Sequence, residues 1–119
     1  MMQNRLRFSV YSEMFIVDLN RVLYFQADDH YTHVYYANGN HFMIPFGLSK
    51  VETMINEESD CRGRFIRLGR TYMVNLERIF QVNVVKCIVL LFDDHGVNYT
   101  LHLPKQVLRK FMDMLNETV

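Results

Sequence analysis

The chain has 119 residues, half of them apolar or aromatic, with 13 Lys plus Arg balanced by 13 Asp plus Glu. That is material for a single domain with its own core, expected over residues 1–119 with no linker, repeat or low-complexity tract inside it. Zero net charge excludes a global field drawing the protein to nucleic acid, membrane or acidic substrate, so such a partner must meet a local patch.

Two cysteines, Cys61 and Cys87, lie far apart without CxxC spacing, which fits reduced thiols and a cytoplasmic setting better than a disulfide framework. The opening "MMQNRLRFSV" lacks the apolar core of a signal peptide. No run approaches the roughly 18 apolar residues that span a bilayer, so no membrane partner is expected.

Taken in chain order, most segments alternate with a period near two and are rich in Val, Ile, Tyr and Phe, which predicts a mainly β chain. Residues 5–10 and 14–17 read as strands turning around Ser12 and Glu13, and 22–27 ("VLYFQA") as a third. Residues 31–37 and 41–46 flank "NGN", where Asn38 and Gly39 are expected to supply the positive-φ positions of a tight hairpin. Beyond Gly47, Ser49 and Glu52 have the spacing of a capping box, and Leu48, Val51, Met54 and Ile55 fall on one helical face. A short central helix is predicted, ending in "NEESD".

From Ile79 alternation resumes through Phe80, Val82 and Val84; residues 88–92 are continuously apolar; Val97, Tyr99, Leu101 and Leu103 alternate with polar neighbours after the turn "DDHG". Pro104 suits the start of a final helix with Val107, Leu108, Phe111 and Leu115 as its apolar stripe.

Little here promises catalysis or metal binding. His30, His33 and His41, with Cys61 within folding reach, offer one loose pair where a structural zinc site needs two close ones. Neither cysteine sits in a nucleophile elbow, no glycine-rich phosphate loop is present, and Asp28 with Asp29 and Asp93 with Asp94 read as turn residues or solvated charges. No enzyme activity and no cofactor are expected.

The informative segment is "RFIRLGRTYMVNLERI", residues 64–79, where Arg64, Arg67, Arg70 and Arg78, with Arg62 just before them, gather against the single acid Glu77. A solvated face with apolar spacers plugged into the core would explain it. A second acid-free basic group, Lys105, Arg109 and Lys110 beside Gln106, favours a further role, since guanidinium groups grip phosphate or guanine in bidentate fashion and Gln or Asn reads adenine.

At these residues the sequence resembles the LytTR family of bacterial DNA-binding output domains, over about residues 17–115. "DLNRVLYFQADDHYTHVYY" is similar to the family's strand-turn-strand segment, commonly I-x-Y-I-E-A-x-x-x-Y; "LSKVETMI" follows as the short helix. "FIRLGRTYMVNLERI" resembles F-x-R-x-H-R-S-Y-x-V-N, with Phe65, Arg67, Arg70, Tyr72, Val74, Asn75 and Ile79 in register, and "LHLPKQVLRKF" resembles the terminal P-V-S-R segment.

The resemblance implies an elongated, mostly antiparallel β-sheet assembly that meets DNA through loops and strand ends. Carried onto this chain, the family's contacts fall on Thr32 and His33, on Arg67, Arg70 and Thr71, and on Lys105, with His30, Gln106 and Arg109 added by neighbourhood. Thr32, Arg70 and Lys105 are expected at base edges, and Arg67, His33 and Thr71 on phosphates. Gly69 stands where the family usually has His, Asp28 and Asp29 precede His30 where G-N is common, and Pro104 and Lys105 replace S-R; these departures sit at contact positions, so the family's target sequence does not carry over to this chain.

The expected function is sequence-specific binding of double-stranded DNA by a bacterial transcriptional regulator, on paired direct repeats and with homodimers forming on DNA. The alternative is a protein-protein interaction module of the same type, with Tyr31, His33 and Tyr35 as its contact surface.

Overall fold

The computed structural model describes residues 4–117. In chain order the elements are β1 Arg5–Val10, β2 Glu13–Asp18, β3 Val22–Asp28, β4 Tyr31–Tyr36, β5 His41–Ile44, α1 Leu48–Glu58, β6 Phe65–Leu68, β7 Tyr72–Asn75, β8 Ile79–Asn83, β9 Ile88–Phe92, β10 Asn98–His102 and α2 Lys105–Glu117. Short 3-10 turns at Leu19–Arg21 and Leu76–Arg78 lead into β3 and β8.

A five-stranded antiparallel sheet in the order β5-β4-β3-β7-β6 forms the middle layer. The β1-β2 hairpin and α1 cover one face, and the three-stranded sheet β10-β9-β8 with α2 covers the other. Side-chain alternation divides the apolar residues between two cores: Phe25, Val34 and Met73 join Leu6, Phe8, Val51 and Ile55 on the first face, while Tyr24, Val74 and Leu68 join Val89, Leu91, Leu108 and Phe111 on the second.

Because it lies at the centre and is covered on both faces, β3 opens with four consecutive buried residues, 22–25. A register shift between Val22 and Tyr24 lets Leu23 and Tyr24 both serve the second core, as the extra residue of a bulge does. The assembly is elongated, 46 × 28 × 26 Å, as the family resemblance implies, and mainly β, as the period-two alternation predicts. No helix among the described residues is long and apolar enough to cross a membrane.

Three local expectations need correction. In the 36–40 turn only Gly39 has positive φ, at 96°, and Asn38 instead accepts the Asn40 N–H on its side-chain oxygen. Gly39 N–H donates to Tyr36 O at 3.0 Å, giving a three-residue loop with glycine as the left-handed residue. The capping box does not form: α1 begins at Leu48 with Gly47 as its cap, Ser49 is already helical, and the Glu52 carboxylate turns to Arg67. Finally, the motif-bearing segment, for which no strand was predicted, folds as the β6-β7 hairpin.

Candidate nucleic-acid interface

Strand register places three distant parts of the sequence at one end of the five-stranded sheet. Asp28 pairs with Tyr31 at the β3-β4 turn, and Gln26 pairs with Tyr72 where β7 starts. Ala27 N–H donates to Thr71 O at 2.7 Å, so the 69–71 turn is tied to the end of β3. The two hairpin tips are therefore about two strand spacings apart, roughly 10 Å, a distance that fits within a major groove about 12 Å wide.

The third part is the start of α2. Pro104 O accepts the N–H groups of Val107 and Leu108, which starts the helix, and a Cβ at Gly69 would meet a Val107 methyl at 3.8 Å. The first turn of α2 thus lies against the 69–71 turn, with Lys105, Gln106 and Arg109 exposed. At φ +65°, residue 69 takes a left-handed conformation that glycine adopts without steric cost.

The arginine run is divided between the two ends of the β6-β7 hairpin. At the end away from these tips, Arg64 donates to Asn20 Oδ1 at 2.7 Å and lies 3.7 Å from Glu77, and Arg78 pairs with Asp94 at 2.7 Å. Arg62 precedes β6 at that same end. Only Arg67 and Arg70 belong to the end where the three segments meet.

Those two differ. Arg70 is exposed, and its guanidinium makes no hydrogen bond or ion pair among the described residues, leaving its donors free for a bidentate partner. Arg67 is engaged at both terminal nitrogens: Nη1 donates to Glu52 Oε1 at 3.0 Å and Nη2 to the Arg70 carbonyl at 2.9 Å. Expected on phosphate, it has a side chain only 22% exposed and a fork held by acceptors of the fold.

Thr32, expected at a base edge, is turned inward. It is fully buried, and its hydroxyl donates to Phe46 O at 2.7 Å, tying the end of β4 to the segment leading into α1. Enclosed there, it presents no side-chain atom to the surface. His33, half-buried on the opposite face, has Nε2 at 2.9 Å from Asp28 Oδ2 and Nδ1 at 2.9 Å from His41 Nε2. Asp28 thus faces a histidine, as does Asp29, whose carboxylate lies 3.6 Å from His30. Burial and the neighbouring His33 hold the His41 imidazole below its usual pKa.

The tyrosine row is largely interior. Tyr35 stacks between Tyr24 at 4.4 Å and His41 at 4.2 Å, leaving Tyr31 as the row's exposed member. Among the described residues no cluster of three or more His, Cys, Asp or Glu converges as metal ligands.

Sequence reasoning missed Glu52 and Ser49, which bring α1 to the interface through Arg67, Ser49 Oγ lying 3.5 Å from Nη1. The only available signal was the S-x-x-E spacing, which points to a local capping role instead.

The family model described as the LytTr DNA-binding domain matches residues 12–116. No curated protein sequence matches the chain. Among solved structures, the LytTr DNA-binding domain of a Bacillus cereus protein described as a methyl-accepting/DNA response regulator is similar, with a TM-score of 0.64 and 19% identity over 95% of this chain and 97% of that one. At that identity the likeness establishes the fold.

Proposed function

Because the chain belongs to the LytTR family of DNA-binding domains, we propose that it is the DNA-binding part of a bacterial transcriptional regulator, reading double-stranded DNA sequence through two hairpin turns and the first turn of α2. The observation that carries this reading is the meeting of three segments at one sheet end, with Arg70, Lys105, Gln106, Thr71 and His30 exposed there. Arg70 and Lys105 are assigned to base edges, Thr71, Arg109 and His30 to phosphates and sugars, and His33 to holding the 28–31 turn through Asp28. The protein acts in the cytoplasm on paired direct repeats, two copies associating on DNA.

The test is selection of duplexes from a random pool, with the double variant Arg70→Ala, Lys105→Ala as control. Enrichment of a repeated motif by the wild type and not by the variant is the expected result. No enrichment by a folded wild type at low salt would transfer the assignment to a protein-interaction module.

A further inference from the structure

We propose that Glu52 is a positioning residue for DNA reading: through Arg67 it fixes the backbone of the 69–71 turn and so aims the Arg70 side chain. The inference rests on the DNA-reading function proposed above. The two ends of the Arg67 fork reach different elements. Nη1 is anchored on α1 by Glu52 at 3.0 Å, and Nη2 holds the Arg70 carbonyl at 2.9 Å. One planar, doubly donating group therefore bridges helix and turn, a job that guanidinium geometry performs and an ammonium cannot.

The turn needs such a bridge. Leu68 pairs with Tyr72 at its base and Thr71 O accepts from Ala27, but within residues 69 and 70 the Arg67 bond is the anchoring contact the structure shows. The Arg70 side chain touches no acceptor of its own, so its direction depends on its backbone. Side chains that read base edges must be held to within a fraction of an ångström by the groups behind them.

Charge makes the inference testable by sign. Glu52 places a carboxylate near a surface meant for phosphates, and by electrostatics alone its removal tightens binding to every duplex. A positioning role predicts loss of sequence preference instead. The readout is the ratio of dissociation constants for an unrelated duplex and for a duplex the wild type selects. Partial unfolding of a variant scales both constants equally and leaves that ratio unchanged.

For Glu52→Gln the ratio is expected to fall at least about fivefold, the lower end of what one bidentate base contact discriminates, while the unrelated duplex is bound as well or better. Arg67→Lys keeps the charge and loses the bridge; its ratio should fall as well. In Arg67→Lys, adding Glu52→Gln should change the ratio no further. An unchanged ratio in Glu52→Gln overturns the proposal, and rescue of full discrimination by Lys at position 67 overturns it too, returning Arg67 to a phosphate contact. If the wild type selects no duplex, the failure lies in the underlying DNA-reading function, and the Glu52 role falls with it.

Discussion

Thr32 and Arg70 mark the two fates of polar side chains near the sheet end. Thr32 is enclosed, and its hydroxyl satisfies the Phe46 carbonyl, an acceptor that would otherwise be left without its partner. Thr32→Val should therefore lower unfolding free energy by about 1 to 2 kcal/mol in chemical denaturation, while leaving the base preference of the folded protein unchanged. A changed preference with normal stability would put the hydroxyl back on DNA. Arg70 has no such structural debt. Arg70→Ala should cost about 1 to 3 kcal/mol of binding to a selected duplex and relax one base position, with denaturation unaffected. Uniform weakening across all duplexes would assign its guanidinium to phosphate.

At the scale of elements, the β9-β10 turn and the first residue of β5 carry the acid sensitivity. Asp93 stitches the β9-β10 turn: its Oδ1 accepts from His95 N–H at 2.8 Å and Val97 N–H at 2.9 Å, and Oδ2 from the Tyr99 hydroxyl at 3.3 Å. Burial pushes its pKa up, yet these donors together outweigh burial and hold the carboxyl below its ordinary 3.8. A depressed carboxyl stabilises the fold fully above its unfolded pKa and loses that contribution as pH falls through the folded one. His41 acts in a higher window. Its imidazole is held below its ordinary 6.5, so the unfolded chain takes up the proton first and stability drops as pH falls past that value. Thermal unfolding against pH should show both losses, the upper one flattened by His41→Gln and the lower one by Asp93→Asn; an unaltered profile in either variant would remove that residue as a cause. How far such features could be read from the sequence follows from their range. Strands β3, β4 and β9 and the stripes of α1 and α2 were legible because period and composition are local properties of consecutive residues. The hairpin β6-β7 was obscured because its two strands do not alternate: Phe65 and Leu68 are buried at either end of one, and Met73, Val74 and Asn75 are buried in succession in the other. Arginine partners were not legible at all: Glu52 and Asp94 lie 15 and 16 residues from Arg67 and Arg78, and only the fold brings them close. Nor could the alternation of β4 show that Thr32, placed at a base edge by the family resemblance, is enclosed on the side of the segment leading into α1.

For the molecule as a whole, zero net charge conceals a polar arrangement. α1 carries the chain from Ser49, beside Arg67, to its cap Ser59 and the following Cys61, which lies beside Arg64 at the other end of the hairpin. An eleven-residue helix is about 16 Å long, so Glu57, Glu58 and Asp60 sit about two Debye lengths from the interface at physiological salt. Near the interface, Arg70, Lys105, Arg109 and Lys110 are exposed cations without an acidic partner among the described residues, while Asp28 and Asp29 each face a histidine. DNA should therefore experience the local cations far more than the global balance. With Arg109 and Lys110 on phosphates the plot of log affinity against log salt has a slope of roughly −1.8, steepening to roughly −3.6 if Arg70 and Lys105 neutralise phosphates as well, and Arg67 adds nothing to it. Replacing Glu57 and Glu58 by Gln should change affinity little at physiological salt, whereas Asp28→Asn with Asp29→Asn should tighten binding to unrelated duplexes several-fold. Binding titrations across a salt series decide the matter. Equal effects from the two pairs would mean that net charge governs association, and a slope much steeper than four contacts allow would bring Arg5, Arg7 or Arg62 into the bound surface and widen the interface beyond one sheet end.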